Sequence, residues 1–312
     1  RRQRQMCIRD RVYLDREDRS LSTRRDGEIA RRELLRGGVA LGAGFVGAAS
    51  LACAPTRAAT SAVPNRPVAT RPREERFDLE VEGRVVPGIV WHPRDVATPM
   101  PLVLAGHGGG FGTEGHKRVE AIVELAAELA RHGIATLAID QPGCGDRPGA
   151  REEQARRREL SIEQAIAELW TRELVEEMAR DWQACLDHAQ TTWGLGQAGI
   201  GYWGLSGGTT FGLPLVAIER RIQAAVLGLN SAVPLMLAYA PRVTCPVLYT
   251  MNLDDHFMSR EQGLALFDAL GSEDKFVLGY PGDHGANLER ARGPWARFFA
   301  SRLGSLGSGN ES

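Results

Sequence analysis

Lysine is nearly absent from this chain. Only Lys117 and Lys275 stand among 38 basic residues, so arginine carries the positive charge, a bias that fits a GC-rich coding sequence and says little about function. Excess charge is lacking too. The formal net charge is -1, and residues 1–36 hold 12 arginines against 7 acidic residues, leaving 26 basic and 32 acidic residues for the rest, a net of -6. A mildly acidic body offers no basic surface, which argues against a nucleic-acid partner. Cysteine is scarce: of five, Cys7 and Cys53 precede the body, leaving Cys144, Cys185 and Cys245. That odd number without a Cys-x-x-Cys spacing indicates neither a zinc site nor a disulfide framework, although a single disulfide stays compatible with export. Cys144 follows a strand end and is conceivable as a nucleophile; a small buried thiol is the plainer reading. Long apolar runs are missing as well. The stretch Gly37 to Cys53 is glycine-laden and shorter than the roughly 20 apolar residues of a membrane span. What remains is 43% hydrophobic and 25% charged, ordinary for a globular protein and enough to bury one large core.

The N-terminal region carries addresses rather than fold. Arg4 to Asp10 can be back-translated to a sequence resembling the end of a transposase-type library adapter, so residues 1–11 are set aside as an artefact. Residues 12–62 read as a leader: Arg31-Arg32 precedes the weakly hydrophobic Gly37 to Cys53 and the small-residue segment Ala54 to Ala62, the parts of a Tat-type export signal. An alternative makes Cys53 a lipid-modified cysteine, although Ser50-Leu51-Ala52 is a poor lipobox. Residues 63–76 read as a linker, 77–304 as the folded domain and 305–312 as a disordered tail.

Within the domain, Phe77 to Val81 and Arg84 to Trp91 suggest a hairpin, and Pro101 to Ala105 a buried strand. Apolar residues Val119, Ile122, Val123, Leu125, Ala126 and Leu129 recur at helical spacing over Arg118 to His132, with Gly133 as the stop. Strands are expected at Ile134 to Ile139, Gly199 to Trp203, Ala224 to Leu229, Val247 to Met251 and Phe276 to Tyr280. Helices are expected at Ile162 to Gln190, either continuous or broken in the middle, at Thr209 to Ile218, at Arg260 to Leu270 behind the N-cap Ser259, and at Gly293 to Leu303. This alternation implies a mainly parallel sheet of about eight strands covered by helices on both faces, an α/β fold.

Chemistry concentrates at the strand ends. Gly204-Leu205-Ser206-Gly207-Gly208 follows an apolar strand and reads as a nucleophile elbow, a strained strand-to-helix turn in which flanking glycines let the serine hydroxyl stand clear of the sheet. A serine needs a base within hydrogen-bond reach, which His284 can supply, and the imidazole needs a carboxylate to fix its tautomer. Asn252-Leu253-Asp254-Asp255-His256 offers two, Asp255 and Asp254. An oxyanion developing on the substrate needs aimed donors; the candidates are the N–H groups of Gly207, Gly109 and Gly110, the last two from the strand-end turn His107-Gly108-Gly109-Gly110. His107 reads as a loop-holding residue. Glu114 and His116 lack a third ligand for a metal, and nothing in these residues requires a cofactor.

Gly106-His107-Gly108-Gly109, Asp140-x-Pro-Gly-x-Gly-Asp-Arg147, Gly204-x-Ser-x-Gly208, Asp255 and His284 together resemble the α/β-hydrolase superfamily, and within it esterases similar to dienelactone hydrolases. The resemblance covers about Phe77 to Leu303. It implies an α/β-hydrolase fold and a serine esterase acting on a small-molecule ester, with Asp255 preferred over Asp254 as the triad acid because Asn252 takes the Gly place of the family's Gly-x-x-Asp. Dienelactone hydrolases proper use cysteine where this chain has Ser206, so lactone specificity does not carry over. Position 207 is glycine where many relatives are bulkier. Acyl transfer, peptide hydrolysis as in prolyl-oligopeptidase-type enzymes, and a non-catalytic binding role on the same fold stay open. Residues 148–180 form an insertion whose apolar stripe (Ile162, Ile166, Leu169, Trp170, Leu174, Met178) suggests a lid or, more plainly, core packing; Phe111 to Lys117 and Val233 to Tyr239 are further candidates to border the pocket.

Overall fold

The computed structural model describes residues 71–94, 96–109, 116–160, 164, 168 and 171–303. The leader, the adapter-like residues, the C-terminal tail, Gly110, Glu114 and the stripe residues Ile162, Ile166, Leu169 and Trp170 therefore lie outside the described residues.

Eight strands form one sheet: β1 (Arg73–Val81), β2 (Arg84–His92), β3 (Met100–Gly106), β4 (Ala135–Ile139), β5 (Leu195–Gly204), β6 (Ile222–Gly228), β7 (Val247–Asn252) and β8 (Lys275–Tyr280), in the order β1-β2-β4-β3-β5-β6-β7-β8. The first two are antiparallel to each other and β2 is antiparallel to β4; every pair from β4–β3 onward is parallel. The expected linker at 63–76 is corrected at its end. Arg73 to Arg76 pair in register with His92 to Ile89, because a run of charged residues is compatible with an edge strand whose side chains face water.

Helices cover both faces. Against one lie α3 (Arg172–Trp193), α4 (Gly207–Ile218), α5 (Pro234–Tyr239) and α6 (Arg260–Ala269), whose Met178, Trp182, Phe211, Met236 and Leu266 join the buried side chains of the sheet. Against the other lie α1 (Glu120–Arg131) and α7 (Leu288–Leu303), with Ile122, Leu125, Leu129, Trp295 and Phe299 in a second core. Helix α1 follows from its sequence: Ile122, Leu125, Ala126 and Leu129 make the buried stripe, and Gly133, at φ +73°, ends it. Helix α2 (Ala150–Arg158) was not expected, because its AREEQARRR sequence has no apolar stripe to signal it. The long helix expected from Ile162 is described as α3 from Arg172, with Thr171 capping the N–H of Leu174.

The parallel register positions the chemistry. Gly106 pairs with Gly204 at the ends of β3 and β5, so the turn His107–Gly109 and the serine turn emerge side by side. Asn252 pairs with Tyr280 at the ends of β7 and β8, which brings the Asp255 and His284 loops together. Open parallel sheets place ligands at such carboxyl ends.

Candidate active site

Ser206 has φ +54° and ψ -120°, a conformation that costs an L-residue about 1–3 kcal/mol and persists only where neighbours dictate it. Several do. Ser206 N–H donates to the Gly228 carbonyl at 3.0 Å, and the Asn230 amide donates to the Ser206 carbonyl at 3.0 Å and to Thr210 Oγ1 at 2.8 Å. Thr209 Oγ1 accepts from Gly228 N–H at 2.8 Å and lies 2.8 and 2.7 Å from the Gly204 and Gly228 carbonyls. Tyr249 in turn donates to the Asn230 carbonyl at 3.0 Å. Thr209 and Asn230 are fully buried. Sequence reading missed both; their only signal was polarity directly after the elbow and after β6.

The turn brings Ser206 Oγ to 3.1 Å from His284 Nε2, and His284 Nδ1 lies 2.7 Å from Asp255 Oδ2. An ionised carboxylate only accepts, so the proton sits on Nδ1 and the Nε2 lone pair faces the serine hydroxyl. The Asp255 side chain is almost wholly buried, while the His284 side chain is 20% exposed. The other Asp255 oxygen accepts the N–H groups of Phe257 and Met258, each at 2.9 Å. Asp254 points elsewhere, accepting Gly282 N–H at 2.8 Å.

Two residues that the sequence did not single out for this role, Asn252 and Asp283, fix the histidine loop. Buried Asn252 donates through Nδ2 to the carbonyls of Asp283 (2.6 Å) and Ala286 (3.2 Å). Asp283 accepts the His256 N–H at 3.0 Å, the His256 ring and the His284 N–H at 2.7 Å. Those hydrogen bonds, His256 N–H foremost, hold the Asp283 carboxyl down at about 2.

The Gly207 and Gly109 N–H groups donate to no acceptor among the described residues. Gly109 has φ +86°, and a Cβ on Gly207 would lie 2.6 Å from the Gly109 carbonyl oxygen. Glycine at 207 is thus what lets the turn after β3 close onto the elbow. The His107 ring behind this turn is fully buried, and burial pushes its pKa down to about 4, so it is neutral.

A cavity of about 300 Å³ opens over the serine, lined by Val119, Ala121, Trp203, Leu205, Leu229, Leu288 and the glycines 108, 109 and 285 beside His284. Its walls are apolar. Of the candidate loop Phe111 to Lys117, residues 111–115 lie outside the described residues and Lys117 does not line the cavity; Val233–Tyr239, expected to border it, does not line it either. Lys117 is instead buried with its ammonium 2.5 Å from Asp140 and 2.6 Å from Asp146, and Asp140, with no exposed surface, also accepts the N–H groups of Lys117 and Asp146. Arg147 links the Asp140 carbonyl to buried Asp181. The Asp140-to-Arg147 motif is thereby a clamp behind the site. Of the stripe, Met178 and Leu174 belong to the core under the sheet, the plainer of the two readings, because they lie on the inward face of α3. Cys144 is buried, and burial raises its thiol to about 11, unsuited to nucleophilic work at neutral pH. No group of three or more metal-ligating side chains occurs among the described residues.

No protein-family model and no curated protein matches the chain. Among solved structures it is 34% identical to a cold-adapted esterase from an Arctic intertidal metagenomic library, with 74% of this chain aligned to 94% of that one at a TM-score of 0.62. The chain belongs to the α/β-hydrolase superfamily. As an α/β-hydrolase it also shares its fold with dienelactone hydrolase from Anabaena variabilis, at 20% identity over 75% of this chain and 100% of that one, TM-score 0.57. Est1E from Butyrivibrio proteoclasticus, solved with ferulic acid, shares the fold at 16% identity over 73% and 99% of the two chains, TM-score 0.57. In this chain Gly109 follows β3, Ser206 follows β5, Asp255 follows β7 and His284 follows β8.

Proposed function

We propose that the protein is a serine hydrolase of carboxylic esters with an apolar group on the acyl or alcohol side. The observation that carries this reading is the chain of contacts from Ser206 Oγ through the His284 imidazole to Asp255, at 3.1 and 2.7 Å, opening on an apolar cavity. The 34% identity to an esterase supports it.

In this reading Ser206 Oγ attacks the ester carbonyl carbon while His284 Nε2 takes the hydroxyl proton. Asp255 holds the imidazolium that results. The carbonyl oxygen, now an anion, receives the N–H groups of Gly207 and Gly109. Collapse of the tetrahedral adduct breaks the bond to the alcohol, which leaves with the proton from His284. Water, deprotonated by the same imidazole, then cleaves the acyl-serine and restores Ser206. No metal or cofactor enters these steps.

A fluorophosphonate probe, read by peptide mapping, and a series of p-nitrophenyl esters of rising acyl length test the proposal. The expected results are an adduct on Ser206, a chain-length optimum set by the cavity, and at least roughly 10³-fold lower turnover in Ser206→Ala. Full turnover in that variant would sink it. The twin arginines and weakly hydrophobic stretch before Cys53 support export through a Tat-type signal; recovery of the protein from an expressing cell's periplasm, lost in Arg31→Lys/Arg32→Lys, tests that part.

A further inference from the structure

Gln141 stands directly past β4 and is 1% exposed. Both its backbone and its side-chain donor go to a single residue. The Gln141 N–H donates to His107 Nε2 at 3.0 Å, and the Gln141 side-chain amide donates to the His107 carbonyl. A ring nitrogen that accepts carries no proton, so the first bond places the His107 proton on Nδ1. Nδ1 then donates to the Gly108 carbonyl at 2.8 Å.

These bonds set two consecutive peptide planes. In a trans peptide the carbonyl and the following N–H point in opposite directions. With the His107 carbonyl drawn to Gln141, the Gly108 N–H faces away from it. With the Gly108 carbonyl drawn to the His107 ring, the Gly109 N–H is turned out of the loop. The turn is packed against the elbow there, with the Gly109 nitrogen 3.4 Å from the point that a Cβ on Gly207 would occupy. The remaining amide atom of Gln141, Oε1, is buried without a hydrogen-bond partner among the described residues and lies 3.6 Å from that same point. Stability alone disfavours a buried amide oxygen left unpaired. Gln141 is itself immobilised, since its neighbour Asp140 is gripped by Lys117, Asp146 and Arg147.

We propose that Gln141 is a positioning residue for ester hydrolysis, acting through His107 to aim the Gly109 N–H at the oxyanion. This rests on the serine-hydrolase reading above. Two full-length variants test it. Gln141→Met removes the side-chain donor at similar size, and Gln141→Glu keeps the shape but turns an acceptor toward the His107 carbonyl; both keep the backbone bond to Nε2. The expected result for each folded variant is a fall in kcat of about ten- to a hundredfold on p-nitrophenyl butyrate, with KM within about twofold. A trifluoromethyl ketone, which forms a tetrahedral oxyanion on the serine, weakens by the same factor as kcat/KM, while inhibition by butyrate, the product acid, is unchanged. Variants that keep kcat, that weaken the ketone and butyrate equally, or that both fail to fold would overturn the proposal and leave Gln141 a structural residue. Should the unaltered protein neither hydrolyse the ester nor bind the ketone, the serine-hydrolase reading falls and takes this inference with it.

Discussion

Gly207→Ala tests how closely the turn after β3 is fitted to the elbow. The added Cβ would meet the Gly109 carbonyl oxygen at 2.6 Å, about 0.8 Å inside the 3.4 Å at which ordinary contact begins, and that atom is backbone, not a side chain able to swing away. The elbow cannot retreat, because Ser206, Thr209 and Asn230 bind it to the end of β6. The turn must therefore move by several tenths of an ångström, carrying the Gly109 N–H off its aim. A misplacement of that order costs roughly 10²-fold in rate, close to the effect of losing one oxyanion donor. Overpacking adds a destabilisation of about 1–3 kcal/mol. Steady-state hydrolysis of p-nitrophenyl butyrate at a temperature well below the melting transition separates the two effects: kcat falls about a hundredfold with KM little changed. A folded Gly207→Ala protein with kcat within twofold of the parent would refute the reasoning and show that the turn has room to yield.

Further outcomes follow from the same geometry. Asp255→Asn lowers kcat by roughly 10⁴-fold, since the amide no longer holds the His284 tautomer, whereas Asp254→Asn, whose parent accepts only Gly282 N–H at 2.8 Å, loses less than tenfold; the reverse ranking reassigns the acid. His107 makes stability depend on pH. Its folded pKa of about 4 lies below the ordinary 6.5, so between these values the unfolded chain binds more protons and stability falls as pH falls. From pH 7 to pH 5 the loss is on the order of 2 kcal/mol. Burial shifts His92 in the same direction, so the His107 share is the difference in urea-unfolding free energies between the parent and His107→Asn; equal losses in both would remove His107 as the cause.

The periodicities of this chain carried most of its fold. Alternating apolar runs and helical stripes from Phe77 to Leu303 specify a helix-covered parallel sheet, since buried strands and amphipathic helices bury their apolar faces in few other ways. Ser206, Asp255 and His284 were legible because each follows an apolar run, and strand ends gather at one edge of such a sheet. The charged strand start at Arg73 and the stripe-free helix α2 were not, since neither has a periodicity to read; their partners lie elsewhere in the chain.

Sequence also left two carboxylates side by side in Asp254-Asp255, between which only the family resemblance preferred Asp255, and it is the approach of the β8 loop that sets Asp255 against His284. The same holds for the residues that hold the site together. Thr209, Asn230, Asn252 and Gln141 are ordinary polar residues in one dimension. Their importance comes from burial beside a strained turn, where each donor must find its acceptor across strands far apart in the chain. Local pattern thus determined the sheet and the order of its reactive side chains, while the close approach of backbone to backbone, down to the absence of a Cβ at position 207, was decided by tertiary packing.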